Sequence, residues 1–167
     1  MELWDLYDKD RRPLNKLHKR GKPIPHGEYH IAVSILTLNS KGEILLTLRS
    51  ADKQPYPAMW EITAGSVVAG EESLHAAVRE LYEETGIEAD ESELVYIGEN
   101  RGTGAIVDMY MVRRDIDLKD LRLQKGETEE AKWVTPAEFE AVAESGSITP
   151  PVVRRYYRCK ALGVFDS

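Results

Sequence analysis

Apolar residues recur along the chain in patterns that predict strands packed around one core. Residues 29–38 are apolar on both faces, as expected for a central strand that is covered on both sides. Residues 39–42 form a turn, and residues 43–48 return as the partner strand. Further strands are predicted at residues 3–7, 60–64, 94–98, 106–112 and 127–135.

Helices are predicted at three places between and after these strands. A glycine-rich turn that begins at Gly65 leads into about four helical turns. Pro136 opens a helix that runs to about Glu144, and Thr135 is its expected N-cap. The pair Pro150-Pro151 starts a last helix. Helices on both sides of the strands predict an α/β fold, a three-layer α/β/α sandwich with a central mixed sheet.

The 167 residues suit a single domain, since no internal repeat or linker interrupts residues 1–167. Residues 1–28 are expected to add an N-terminal strand and a basic loop extension. The loop contains six Lys and Arg residues between Arg11 and Lys22, and prolines lie within and after it. It is either a solvated loop or a flap that attracts an anionic substrate.

Composition narrows the classes of function. The net charge of −7 argues against stable nucleic-acid binding through a phosphate-neutralising surface. No apolar run is long enough to span a membrane, and the first residues lack the features of a secretion signal, so we expect a cytoplasmic protein. The single Cys159 cannot form an internal disulfide. A homodimer is compatible with a domain of this size.

The predicted helix after Gly65 carries a cluster of carboxylates. Glu80, Glu83 and Glu84 are three and four positions apart, so they lie on one helix face. Like charges there repel by roughly 0.2 to 0.5 kcal/mol per pair. Because Mg²⁺ is usually held by carboxylates together with substrate phosphates, the cluster indicates a Mg²⁺ or Mn²⁺ site. The alternative is a solvated acidic helix face.

The spacing of this stretch resembles the signature of the Nudix hydrolases at every specified position. The matching residues are Gly65, Glu71, Arg79, Glu80, Leu81, Glu83, Glu84, Gly86 and Ile87. The resemblance implies a Nudix-type fold and a metal-dependent hydrolase of a diphosphate linkage in a nucleoside diphosphate derivative or related organic diphosphate. It further implies that the main-chain carbonyl of Ala64 joins the three glutamates as a metal ligand. Arg79 is implied as an orienting residue, with Glu71 as its partner.

The connection before residue 60 is similar to a second branch of this superfamily, the type I isopentenyl diphosphate isomerases. Arg49, Lys53, Pro57 and Trp60 have the isomerase spacing, which implies that Arg49 and Lys53 bind the substrate diphosphate. Glu127 has the spacing of an isomerase metal-binding glutamate and is a candidate catalytic base, with Glu129 and Glu130 close by. The alternative for Glu127, Glu129 and Glu130 is an ordinary acidic loop. The alternative for Arg49 and Lys53 is that they are solvent-exposed charges in a loop.

Two other functions compete with hydrolysis. An isomerase uses a cysteine and a following histidine, which would fall at Ala64 and Ser66, where neither is present. A non-catalytic nucleotide-sensing module usually loses a carboxylate of the signature, and here none is lost. We therefore expect a hydrolase whose partner is a small organic diphosphate.

Overall fold

The computed structural model describes residues 1–166. The strands in this part of the chain are β1 (Leu3–Tyr7), β2 (Pro13–Lys19), β3 (His30–Leu38), β4 (Ile44–Arg49), β5 (Trp60–Glu61), β6 (Thr63–Ser66), β7 (Val95–Gly102), β8 (Ala105–Arg113) and β9 (Thr128–Val134). The α-helices are α1 (Ser73–Thr85), α2 (Pro136–Glu144) and α3 (Pro150–Ala161), and short 3₁₀ turns lie at Glu91–Glu93 and Leu118–Asp120.

The main sheet is mixed, as the sequence predicted. Its path is β5-β4-β3-β8-β7, in which β3 and β8 are parallel and the other neighbours are antiparallel. Strands β3 and β4 are paired at Leu38 and Ile44; away from that pair, β3 takes β6 as its partner, and β4 takes β5 and β9. The sheet therefore divides into two branches, and the consecutive strands β5 and β6 connect them.

Two layers of helices cover the sheet and confirm the α/β/α sandwich. On one face, Ala76, Ala77 and Leu81 of α1 pack against the apolar residues of β3 and β8. On the other face, Phe139 of α2 and Val152, Tyr156 and Cys159 of α3 form a second core cluster. Full burial of a side chain such as Leu81 contributes roughly 1.5 to 3 kcal/mol to folding, so both helix layers are held by their apolar faces.

The basic extension differs from the expectation of a loop. Residues 13–19 form strand β2, which pairs antiparallel with β1, for example at Trp4 and His18. Most β2 side chains stay exposed, so this strand has no apolar face that a sequence pattern could reveal. The hairpin also reaches the loop before α1, because Leu3 O accepts the Ala69 N–H at 2.8 Å and Asp5 Oδ2 accepts the Gly70 N–H at 2.9 Å.

The predicted helix starts agree with the structure. Thr135 Oγ1 accepts the Glu138 N–H at 3.1 Å, and Glu138 Oε2 accepts the Thr135 N–H at 2.8 Å, which forms a capping box. The strands β7 and β8 extend further toward their shared turn than expected: β7 ends at Gly102, and β8 begins at Ala105. Within residues 1–166, no helix combines the length and the apolar character needed to cross a membrane.

Candidate active site

The glycine-rich turn and α1 bring the predicted carboxylates to the point where β6 meets the helix. Gly65 lies in β6, and a Cβ atom built on it would be 2.1 Å from the carboxyl carbon of Glu80. Glycine is therefore required at this position for the Glu80 carboxylate to lie against the strand. At the other end of α1, Gly86 takes a left-handed φ of 77° and donates its N–H to Tyr82 O, which ends the helix.

Arg79 ties the helix to the preceding loop, and its predicted partner is correct. Its Nε donates to Glu71 Oε1 at 2.7 Å, and its Nη2 donates to Glu71 Oε2 at 2.9 Å and to Ser66 O at 3.1 Å. Burial pushes the pKa of Glu71 upward, but the hydrogen bonds from Arg79 and from the Val68 N–H outweigh it, so the pKa lies below its ordinary value. This forked contact orients the helix relative to the glycine-rich turn.

Arg79 also holds the first carboxylate of the cluster. Its Nη1 donates to Glu80 Oε1 at 2.8 Å and to Glu83 Oε2 at 3.3 Å. Burial raises the pKa of Glu80 in spite of this contact. The Glu83 side chain is 44% exposed, so it reaches the solvent side of the cluster.

Glu84 is the buried member of the cluster, with only 7% of its surface exposed. The backbone N–H of Ala64 is near enough to act on the Glu84 carboxylate and oppose the rise of its pKa, so the predicted ligands Glu84 and Ala64 are neighbours. Burial is the main cause that raises the pKa of Glu84 well above its ordinary value, and the charges of Glu61 and Glu80 add to it. The charge of Lys53 acts in the opposite direction.

The donor chemistry fits a hard divalent cation, although the side chains are not gathered into a finished site. In residues 1–166, no three Asp, Glu, His or Cys side chains stand in an arrangement ready to hold a metal. Glu80 and Glu83 are turned toward Arg79, while Glu84 lies buried near two other carboxylates. Burial and neighbouring negative charges disfavour the ionised form of these carboxylates. A bound cation would stabilise that ionised form.

The three residues suggested by the isomerase-like spacing lie beside this cluster. Arg49 is buried, and it donates to Glu61 Oε2 at 2.9 Å, to Tyr56 O at 3.1 Å and to Pro55 O at 2.6 Å. Lys53 forms an ion pair with Glu127. Lys53 and Glu127 therefore lie together at the partly exposed rim of the carboxylate cluster. Arg49 instead connects residues 55–56 to Glu61 through its hydrogen bonds.

Sequence reasoning missed Glu61, which contacts Arg49 and faces Glu84. The available signal was a charged residue inside the otherwise uncharged strand segment from Trp60 to Ala64. It also missed Arg155 of α3, whose pKa burial lowers to about 10 while the charge of Glu61 opposes that decrease. No local pattern links residues 61, 84 and 155, because only the folded chain brings them near one another.

Comparison with known proteins gives results that agree with this geometry. Residues 28–156 match the family model of the NUDIX domain. An uncharacterized Nudix hydrolase from Listeria monocytogenes is 37% identical over 151 residues, which cover 90% of this chain and 89% of that protein. A crystal structure from Deinococcus radiodurans superimposes with a TM-score of 0.80 and 20% sequence identity, covering 95% of this chain and 99% of that one.

The isomerase branch matches over a shorter region. An isopentenyl-diphosphate Delta-isomerase from Pectobacterium atrosepticum is 36% identical over 83 residues, which cover 49% of this chain and 46% of that protein. The Listeria relative thus spans nearly the whole chain, whereas this isomerase aligns with about half of it.

Proposed function

This chain belongs to the Nudix hydrolase family, and from that premise we propose that it is a metal-dependent hydrolase of a diphosphate linkage. The proposed substrate is a nucleoside diphosphate derivative or a related organic diphosphate. The main support for this proposal is the burial of the Glu84 carboxylate. This carboxylate is shielded from water and faces the like charges of Glu61 and Glu80, while the nearby Ala64 N–H and the charge of Lys53 act to lower its pKa. A divalent cation would compensate the charge that burial disfavours.

Each residue has a proposed role in this reaction. Glu80, Glu83, Glu84 and the carbonyl of Ala64 would hold Mg²⁺ or Mn²⁺. When bound, the cation would neutralise phosphate charge and lower the pKa of a coordinated water. Arg79 keeps Glu80 against Gly65 and is itself fixed by Glu71.

The rim residues would handle the substrate and the proton. Lys53 would bind a phosphate oxygen, and Glu127, its ion-pair partner, is the candidate general base. Substrate phosphate would replace Glu127 as the partner of Lys53 and release that carboxylate to accept a proton from water. Arg49 remains a candidate for substrate binding, although three of its N–H groups already have acceptors on the protein.

The experiment is a panel of nucleoside triphosphates, nucleoside diphosphate sugars, dinucleotides, coenzyme A and isoprenoid diphosphates, incubated with and without Mg²⁺ or Mn²⁺. We expect metal-dependent release of product from at least one member. Substituting Glu83→Gln should remove that activity, and Glu88→Gln, an exposed glutamate beyond the helix, should not. The far-ultraviolet circular dichroism of both variants checks that they fold.

The same panel separates the two alternatives. Interconversion of isoprenoid diphosphate isomers would support an isomerase, in spite of Ala64 and Ser66 at the positions of its cysteine and histidine. Tight binding of one member without turnover, in either metal, would support a nucleotide-sensing module. A cytoplasmic location and a homodimer stay predictions.

A further inference from the structure

Arginine side chains border a cleft on the sheet face opposite α1. The cleft is about 250 Å³ in volume and lies between the end of the β7–β8 hairpin and the first turns of α3. Arg101 enters from the hairpin, and Arg154 and Arg155 enter from the helix. Arg101 is paired with Glu99 at 2.6 Å, so in a chain with a net charge of −7 the positive charge at this cleft comes mainly from Arg154 and Arg155.

Arg155 differs from the other inward-facing arginines. Its Nε atom is buried and has no hydrogen-bond partner, and Arg155 makes no ion pair within residues 1–166. By contrast, Arg49 donates to three acceptors, and Arg79 forms a forked contact with Glu71. A buried donor without an acceptor costs free energy, so folding alone does not explain an arginine at this position.

The position of Arg155 connects the cleft to the carboxylate cluster. Arg155 lines a small internal cavity together with Ser34 and Ile62, and Ser34 is paired with Ala64 across β3 and β6. Ile62 directly follows Glu61, whose charge acts on Arg155 and also on Glu84. Arg155 therefore lies near Glu61 on the sheet face that α3 covers, whereas α1, which carries Glu84, covers the other face.

We propose that Arg155 is a substrate-specificity residue that binds a phosphate group of the organic diphosphate from the cleft between the hairpin and α3. This inference rests on the proposed function. The planar guanidinium presents donors in a fork that matches two phosphate oxygens, which a lysine cannot reproduce. A phosphate in the cleft would give the Arg155 guanidinium an acceptor, since Arg155 has no hydrogen bond or ion pair within residues 1–166. Arg154, at the exposed side of the cleft, adds positive charge but no buried donor.

The test uses Arg155→Met, Arg155→Lys and the control Arg158→Met, which removes an exposed arginine one turn further along the same helix. With the substrate that the wild-type protein hydrolyses, Arg155→Met should raise KM by about tenfold or more, while kcat changes much less. Arg155→Lys should recover only part of the loss, because it keeps the charge without the fork. Arg158→Met should have wild-type KM.

A second readout distinguishes binding from a structural role. Arg155→Met should melt at the same temperature as wild type or higher, because it removes an unpartnered buried donor. A lower melting temperature together with unchanged KM would show that Arg155 is structural and overturn the inference. If Arg155→Met does not fold, the KM of Arg155→Lys decides, since an unchanged value would also overturn it.

Binding of inorganic pyrophosphate, followed by calorimetry in the absence of metal, separates this inference from the proposed function. Wild-type protein should bind it more tightly than Arg155→Met, whether or not any panel member is hydrolysed. Hydrolysis with equal KM and equal pyrophosphate affinity in the two proteins would leave the function standing and refute the role of Arg155. Absence of pyrophosphate binding to the wild-type protein would refute that role as well.

Discussion

Two buried carboxylates, Asp108 of β8 and Glu84 of α1, lie in opposite electrostatic situations. Asp108 is 2% exposed and Glu84 is 7% exposed, so water has been removed from both. Arg11 reaches both oxygens of Asp108, at 2.7 and 2.6 Å, and the Ser73 hydroxyl donates to one of them. Glu84 instead faces the like charges of Glu61 and Glu80.

The difference separates a structural carboxylate from one suited to a ligand. Asp108 joins the N-terminal segment to β8, and its charge is balanced by an arginine within the chain. Glu84 has a raised pKa because burial and its neighbours disfavour its ionised form. The absence of an arginine partner for Glu84 within residues 1–166 is what the proposed cation site predicts.

The largest effect is expected for Glu84→Gln, which keeps the shape of the side chain and removes its charge. Hydrolysis should fall on the order of 10²- to 10³-fold, the scale seen when one electrostatic contact to a transition state is removed. The metal-free melting temperature should not fall, because the amide is easier to bury than the carboxylate. Steady-state kinetics and a melting curve measure the two properties, and near-normal turnover would contradict the assignment.

For Asp108→Asn the pattern should be reversed. We expect a loss of about 2 to 3 kcal/mol in the free energy of unfolding, because Arg11 loses its ionised partner. The loss is moderated by solvent, since the Arg11 side chain is 34% exposed. Urea unfolding measures it, and turnover per folded molecule should be unchanged.

The double variant Arg11→Met with Asp108→Asn completes a mutant cycle. If the pair acts as a unit, the double variant should be less destabilised than the sum of the two single variants. If the losses in the free energy of unfolding simply add, the two side chains do not stabilise each other. Asp108 could then not serve as the paired carboxylate with which Glu84 is compared.

A smaller effect is expected from His30, a half-buried group for which no ligand is proposed. Its ring stacks on Trp4 at 4.0 Å, its Nδ1 has no hydrogen-bond partner, and burial lowers its pKa to about 4. The unfolded chain binds a proton near pH 6.5 and the folded chain does not, so stability should fall as pH decreases from 6.5 toward 4.

The free energy of unfolding should decrease by roughly 1 to 2 kcal/mol over this range. This is less than the full pKa shift would give, because the ring is partly exposed to solvent. Urea unfolding at pH 7.5, 6.5 and 5.5 measures it before most carboxylates titrate. His30→Gln should flatten this pH dependence. If the free energy of unfolding of the variant changes with pH as steeply as that of wild type, the pH dependence comes from other groups.

Most elements that position the site could be predicted because their signals are local. Runs of apolar residues located β3 and β4, the glycine-rich turn located the approach to α1, and Thr135, Pro136 and Pro150 located the starts of the last two helices. The Arg79–Glu71 contact was predictable because the family pattern pairs these two positions, which lie eight residues apart. Strand β2 was missed because it is an exposed partner of β1 with no apolar face.

The unpredicted part of the site depends on contacts between distant residues. Glu61 comes near Glu84 only after α1 packs against β6, the strand that follows β5 in the chain. Arg155 comes near Glu61 only after α3 packs on that face of the sheet. The Arg49 spacing suggested substrate binding, yet its buried contacts with Glu61, Pro55 and Tyr56 depend on the fold. Charge and spacing identified candidate residues but could not show which already had partners.

The most direct test of the central claim is the melting temperature of the wild-type protein and of Glu84→Gln with and without millimolar Mg²⁺ at matched ionic strength. Metal at about ten times its dissociation constant stabilises the folded state by roughly 1.4 kcal/mol, so wild type should gain about 3 to 5 °C. Glu84→Gln should gain much less, whereas Asp108→Asn should gain as much as wild type. An unchanged wild-type curve in both Mg²⁺ and Mn²⁺, or an equal gain in Glu84→Gln, would contradict a divalent-cation site at Glu84.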